Sequence, residues 1–355
     1  MIERAASLHQ MARIGLLLSI AMLMMTGLYG GLLRLGLSLP AADRPMEMHG
    51  ALMVAAVFGG LISLERAVAL GHRWAFIAPI LSFCGGAALV SGLPPWFGGG
   101  LLVGAAAVLT IASLTIARMQ PALFTFLLAV AAFAQCLGNL AWMATGSGSE
   151  AAAWWVAFLV LTIAAERLEL SRITGVTRQA SWLLGGILVV VLTGSAMGIA
   201  TRPGALVMGL GLIGLSAWLL RWDIAMTTVR RSGRTRFFAI AMLSGYFWLA
   251  TAGLLLFLVP EAALLYDVVM HAVLIGFVLS MVFAHALIIL PAVTGLTPPY
   301  HSALYAPLAA LQLAVVLRVA GGLLDLSAIR QWSGATTVLA IALFAATLII
   351  APRRR

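Results

Sequence analysis

The sequence predicts an all-helical membrane protein of twelve spans, and three observations carry that expectation. The 355-residue chain is 63% hydrophobic and only 9% charged, with a mean hydropathy of +1.09, far above a soluble domain. Its apolar residues gather into twelve runs, each near the roughly 20 residues that cross a bilayer as helix. Its basic residues are all arginine, and most stand at the ends of those runs, as membrane topology requires. No long polar segment remains for a soluble domain, so residues 1–355 read as one membrane domain. The same arginines account for the net charge of +10. They argue for the lipid bilayer as partner and against nucleic acid.

The runs cover roughly 12–37, 46–71, 74–93, 96–117, 121–145, 150–171, 180–200, 203–222, 235–259, 262–290, 300–324 and 331–351. The first follows the basic stretch MIERAASLHQMAR and has no small-residue cleavage site before its end, so it reads as a retained span. The third and fourth meet at a joint around Leu93-Pro94-Pro95, and the fifth opens at Pro121. Arg202-Pro203, Pro260-Glu261 and Thr297-Pro298-Pro299 separate later runs. Cys84 and Cys136 fall inside apolar runs and read as small core residues, not a disulfide. Met22, Met24 and Met25 read as lipid-facing or packing residues. Gly98-Gly99-Gly100 reads as close helix packing, not a phosphate loop. There is no Walker motif, no Cys-x-x-Cys and no Cys-x-x-Cys-His.

Orientation follows from arginine. With the N-terminus inside, the inner segments hold Arg4, Arg13, Arg66, Arg73, Arg118, Arg167, Arg172, Arg178, Arg221, Arg230, Arg231, Arg234, Arg236, Arg353, Arg354 and Arg355, sixteen in all. The outer segments hold four, Arg34, Arg44, Arg202 and Arg330. The excess predicts that both termini are cytoplasmic.

The tenth run, Tyr266 to Pro291, carries His271 and His285. On a straight α-helix, fourteen residues bring two side chains within about 40° of each other and separate them by about 21 Å. One face would then show an imidazole near each end. A polar side chain in lipid marks a functional site by default, and imidazole is the commonest metal and haem ligand. His49 opens the second run. His49 and His271 are therefore candidate haem ligands. The alternative is two histidines hydrogen-bonded between helices or at the interface. Arg318, deep in the eleventh run, needs a partner in lipid. A haem propionate or Asp325 would serve. His9, His72 and His301 fall on the tail and in joints and read as solvated.

Glu65-Arg66 ends the second run, and Glu166-Arg167 ends the sixth 101 positions later. Four runs further on, the tenth ends with His285 in the corresponding place. This suggests three four-helix units with Glu65, Glu166 and His285 as equivalents, and Glu169 beside Glu166 on one face. A histidine with carboxylates suits iron, manganese or zinc. The alternatives are interfacial charge pairing at helix ends and neutralisation of the carboxylates by Arg66 and Arg167.

Twelve spans with histidines on the second and tenth resemble the haem-copper oxidase subunit I superfamily. There, three arcs of four helices surround a centre lined by the second, sixth and tenth. The tenth run is similar to the NnrS family of haem- and copper-associated membrane proteins in His271-Ala272, Gly276 and Met281. The second run shares that family's His-Glu-Met neighbourhood in shuffled order, as Glu47-Met48-His49. The resemblance implies a pseudo-threefold arrangement and a low-spin haem b on His49 and His271. It also implies copper, iron or another transition metal as a second cofactor. The sequence departs from the oxidases in two ways. His271 has no histidine neighbour, and the sixth and seventh runs have no histidine at all. The dioxygen-reducing haem-copper centre cannot be assembled from the standard residues here.

The expected function is a haem b or metal-binding protein of the bacterial inner membrane, in redox chemistry or the response to nitric oxide or metal stress. If it is an enzyme, it is a membrane oxidoreductase. A quinol, a periplasmic electron carrier or other membrane subunits would be its partners. A different class fits the same residues: a proton- or cation-coupled secondary transporter using His285, Glu65 and Glu166, although transporter repeats usually span five or six helices. A third reading is an assembly subunit with no site of its own.

Overall fold

The computed structural model describes residues 2–172, 175–259 and 265–350, with side chains described from Gln10 onward. Pro260, Glu261, Arg353, Arg354, Arg355 and the side chains of Arg4 and His9 lie outside the described residues. Every regular element among them is helical, and twelve helices are long and apolar enough to cross a membrane. They are Gln10–Arg34, Ala51–Leu70, Arg73–Val90, Pro95–Met119, Leu123–Thr145, Gly148–Ser171, Arg178–Met197, Arg202–Trp222, Gly233–Leu258, Leu265–Thr294, Ser302–Leu323 and Ser327–Ile350. They are called spans 1 to 12 below.

The boundaries follow local chemistry. Pro95 and Pro203 sit in the first turns of spans 4 and 8, where a missing N–H costs nothing. Thr177 and Thr201 cap spans 7 and 8 by accepting from the Ala180 and Gly204 amides. Gly71 and Gly146 end spans 2 and 5 in the left-handed conformation. Span 10 runs past its expected end, because Pro291 lies inside the helix and the apolar sequence continues beyond it.

The chain forms two compact units. Residues 1–158 with 288–297 make one, and residues 159–287 with 298–355 make the other. In the first unit, small residues bring spans 3 and 4 together. A Cβ on Gly98 would lie 2.7 Å from Leu89 Cδ2 and 3.0 Å from the Gly85 carbonyl oxygen. Gly98 thus packs as expected of close-set membrane helices, while Gly100 faces open space. In the second unit, Gly209 of span 8 and Gly253 of span 9 meet backbone to backbone, each Cβ position 2.7 Å from the other's carbonyl oxygen.

Spans 2 and 10 share an irregularity. Ala51–Phe58 and Ala272–Leu279 are π-helical, and each begins one or two residues after a Met-His pair, Met48-His49 and Met270-His271. A π turn takes in an extra residue and leaves backbone groups to be satisfied elsewhere. In span 2 the Gln135 amide, from span 5, donates to the Ala55 carbonyl at 3.4 Å, with Gly59 giving it room. In span 10, Gly276 lets the Trp248 ring approach so closely that an added Cβ would be 2.5 Å from its Cγ. Trp248 Nε1 donates to Gln312 Oε1 at 2.7 Å, and Gln312 Nε2 to Ser280 Oγ at 3.0 Å.

Several sequence expectations are corrected here. Cys84 is exposed and Cys136 half-buried; both are free thiols, so Cys84 is not a core residue. Arg167 is buried, so it is not a solvated charge at a helix end. Met22 and Met25 do face outward.

Candidate functional site

In the second unit, span 10 carries a histidine clamped by an arginine and an aspartate near each end. Near the first end, His271 Nδ1 is 2.7 Å from the Asp267 carbonyl oxygen, one turn earlier. Its Nε2 lies 3.1 Å from Arg318 Nη2 of span 11. The same Nη2 donates to Asp267 Oδ1 at 2.8 Å, and Asp267 Oδ1 is 3.2 Å from His271 Nδ1. Arg318 Nη1 reaches Ser333 Oγ of span 12 at 3.4 Å. Arg318 is thus buried but neutralised in place. Its partner is Asp267, not Asp325, which is exposed in the left-handed turn between spans 11 and 12.

Near the other end the pattern recurs with different helices. His285 Nδ1 is 2.7 Å from the Met281 carbonyl oxygen, again one turn back. Its Nε2 lies 3.1 Å from Arg167 Nη1 of span 6. Arg167 Nε donates to Asp223 Oδ2 at 2.7 Å, and both side chains are buried. Asp223 follows span 8, and its other oxygen accepts from the Ala225 amide at 2.8 Å. Tyr246 of span 9 is fully buried beside this pair and interacts electrostatically with both members. Its hydroxyl interacts with the Asp223 and Arg167 side chains.

In both triads Nδ1 points at a carbonyl oxygen, so it carries the proton, and Nε2 is left to accept from a guanidinium. The two rings do not share a face. His271 meets span 11 and His285 meets span 6. The straight-helix expectation fails because the π-helical residues lie between them. One extra residue in a turn delays everything after it by about 100°.

In the first unit, His49 precedes span 2. Its Nδ1 is 2.7 Å from the Gly27 carbonyl oxygen of span 1. Gly31 allows the ring to lie flush, since a Cβ there would come 2.8 Å from its Cε1. All three membrane histidines therefore hold Nδ1 on a backbone carbonyl, the arrangement that fixes a ligand imidazole with Nε2 outward.

The carboxylates sort differently. Glu65, in the first unit, is half-buried and interacts electrostatically with Arg66. Glu166 is half-buried and acts on Arg167, while Glu169 is exposed. His285 has Arg167 at its Nε2, not a carboxylate. No group of three or more His, Cys, Asp or Glu side chains able to hold a metal ion occurs among the described residues. The residues of the expected metal centre do not fit one. His72 and His301 are exposed, and His301 Nδ1 accepts from the Ala303 amide.

Sequence reasoning passed over Asp223, Asp267 and Tyr246. Asp267 had a legible signal, since four residues before His271 places it on the same helical face. Asp223 sits after Arg221-Trp222 at the edge of an arginine-rich segment and reads as interfacial. Tyr246 is one aromatic residue in an apolar run and has no such signal.

A family model described as "Domain of unknown function (DUF8744)" matches residues 13–353. No curated protein and no solved structure matches the chain.

Proposed function

For a chain that belongs to the family described as a domain of unknown function, DUF8744, we propose a b-type haem protein of the inner membrane. His49 of the first unit and His271 of the second are each candidate imidazole ligands, and Arg318 is the cation for a propionate beside His271. The observation that supports this most is shared by both histidines. Each leads into a π-helical segment and has Nδ1 fixed by a backbone carbonyl. π segments are frequent at functional sites, and the second-shell bond sets the tautomer that leaves Nε2 to a metal. Arg318 is a buried guanidinium beside one of them, suited to a carboxylate. It faces His271 Nε2, so ligation requires it to turn from that nitrogen while Asp267 keeps hold of it. A bound haem would supply one-electron redox chemistry. The protein's part is to fix both rings, balance charge through Arg318 and Asp267, and exclude water.

The haem-copper-oxidase-like arrangement of three four-helix units, the NnrS-like kinship and cytoplasmic termini belong to this proposal. So do a quinol or periplasmic electron carrier as partner and a role in nitric-oxide or metal stress. The test is a pyridine haemochrome assay on protein purified from haem-replete cells. The expected result is stoichiometric haem b in the native protein and its loss in both His49→Ala and His271→Ala. Haem-free native protein, or full occupancy in either variant, overturns the reading.

A second reading is a proton-coupled transporter working through His285. The observation that favours it is the buried cluster of Arg167, Asp223, His285 and Tyr246. Proton uptake by proteoliposomes in response to candidate solutes would test it.

A further inference from the structure

We propose that His285 is a proton-exchange site that takes up and releases one proton at Nε2, with Arg167 as the group that moves aside. The inference rests on the cluster geometry and stands whether or not haem is bound. Met281 holds Nδ1 through its carbonyl at 2.7 Å, so the ring is pinned and only Nε2 can gain a proton. That nitrogen now accepts from Arg167 Nη1 at 3.1 Å. Protonation forms an N–H bond at Nε2 and breaks the hydrogen bond from Arg167, and nothing is oxidised or reduced. The proton comes from water at the membrane edge and returns there.

Two features mark a cluster built for more than one state. The first is charge. Glu166 and Asp223 both act on Arg167, and Asp223 also acts on His285. Two carboxylates are in reach of two basic groups, so a second positive charge has a counter-charge waiting. A buried charge is tolerated on that condition. The second is Tyr246. This fully buried phenol lies against Arg167 and Asp223 and interacts with both side chains. It can receive the guanidinium N–H that protonated His285 gives up. Asp223 is buried at the end of span 8, and the exposed Met226, Thr227 and Arg230 follow it, so only a short local opening separates the cluster from water. Among the described residues, the titratable and charged groups facing His285 and its arginine are Glu166 and Arg167 of span 6, Asp223 after span 8 and Tyr246 of span 9.

The test is solid-state nitrogen NMR of histidine-labelled full-length protein in lipid bilayers across a pH series, with His285→Gln identifying the signal. The expected result is a neutral ring with Nδ1 protonated at high pH, converting reversibly to the doubly protonated ring on acidification. Asp223→Asn should shift that conversion at least about one pH unit downward, because a favourable charge is removed. Tyr246→Phe should also move it, while leaving the fold and the other five histidine signals unchanged. Should His285→Gln fail to fold, loss of the shifted signal between native and Tyr246→Phe spectra identifies it. A His285 ring that stays neutral until the protein unfolds, or a conversion that neither variant moves, overturns the proposal.

Discussion

Arg167 and Asp223, 56 positions apart, meet with Nε and Oδ2 at 2.7 Å inside the second unit, both out of reach of solvent. Removing one partner of such a pair leaves an uncompensated buried charge, which costs about 3–5 kcal/mol. Asp223→Ala is expected to destabilise the protein by that order. Asp223→Asn keeps a hydrogen-bond acceptor and should cost less. Chemical unfolding in detergent, followed by intrinsic fluorescence, measures both. Equal stability of native protein and Asp223→Ala would show that the pair contributes nothing.

Arg318 should tune whatever charge sits at His271. If haem is bound there, Arg318→Gln removes a positive charge beside it and stabilises the oxidised form. The reduction potential then falls. A redox titration of the variant measures this, and an unchanged or raised potential would place the propionates elsewhere.

The π-helical part of span 10 depends on Gly276. A methyl there would sit 2.5 Å from Trp248 Cγ, against backbone-anchored ring atoms that have little freedom. Gly276→Ala is expected to cost about 1–3 kcal/mol as overpacking and to change the Trp248 environment. Unfolding curves together with tryptophan emission test it, and native-like behaviour in both would remove the packing argument.

Gln135 plays the corresponding part in span 2. Gln135→Leu leaves the Ala55 carbonyl without the side-chain donor it now has. The expected cost is about 1–3 kcal/mol, the usual penalty for an orphaned buried polar group. If the variant is as stable as the native protein, another group must satisfy that carbonyl.

The topology has its own test. A phosphatase reporter fused within residues 223–236 should be silent if that segment is cytoplasmic. An active reporter would overturn the proposal of cytoplasmic termini.

The number of spans was fully legible, because a run of twenty apolar residues is a matter of composition. So was the placing of His271, His285 and Arg318 inside apolar spans, where lipid penalises polarity. Their partners were less so. Asp267 could have been found from its four-residue spacing to His271. Asp223 could not, because a carboxylate among arginines at a span end looks like an interfacial residue until the chain folds back on Arg167. The face on which His285 lies was misread for a physical reason. Apolar sequence carries no mark that separates an α turn from a π turn, so Ala272–Leu279 looks like any other stretch of membrane helix. The Glu-Arg repeat shows the same limit. Glu65 answers to Arg66, whereas Arg167 turns to Asp223 and His285, so identical letters hold different bonds.

The widened turn in span 10 acts as a phase slip. Residues before it address span 11, and residues after it address span 6, on one continuous rod. Substitutions that restored α-helical winding to Ala272–Leu279 at unchanged length would swing His285 about 100° away from Arg167, whereas loss of the extra residue together with the wide turn would leave it in register. No side chain named in either triad would have changed. In such a helix the winding is as consequential as the side chains, and the identity of the triad residues is only half of what the gene must keep.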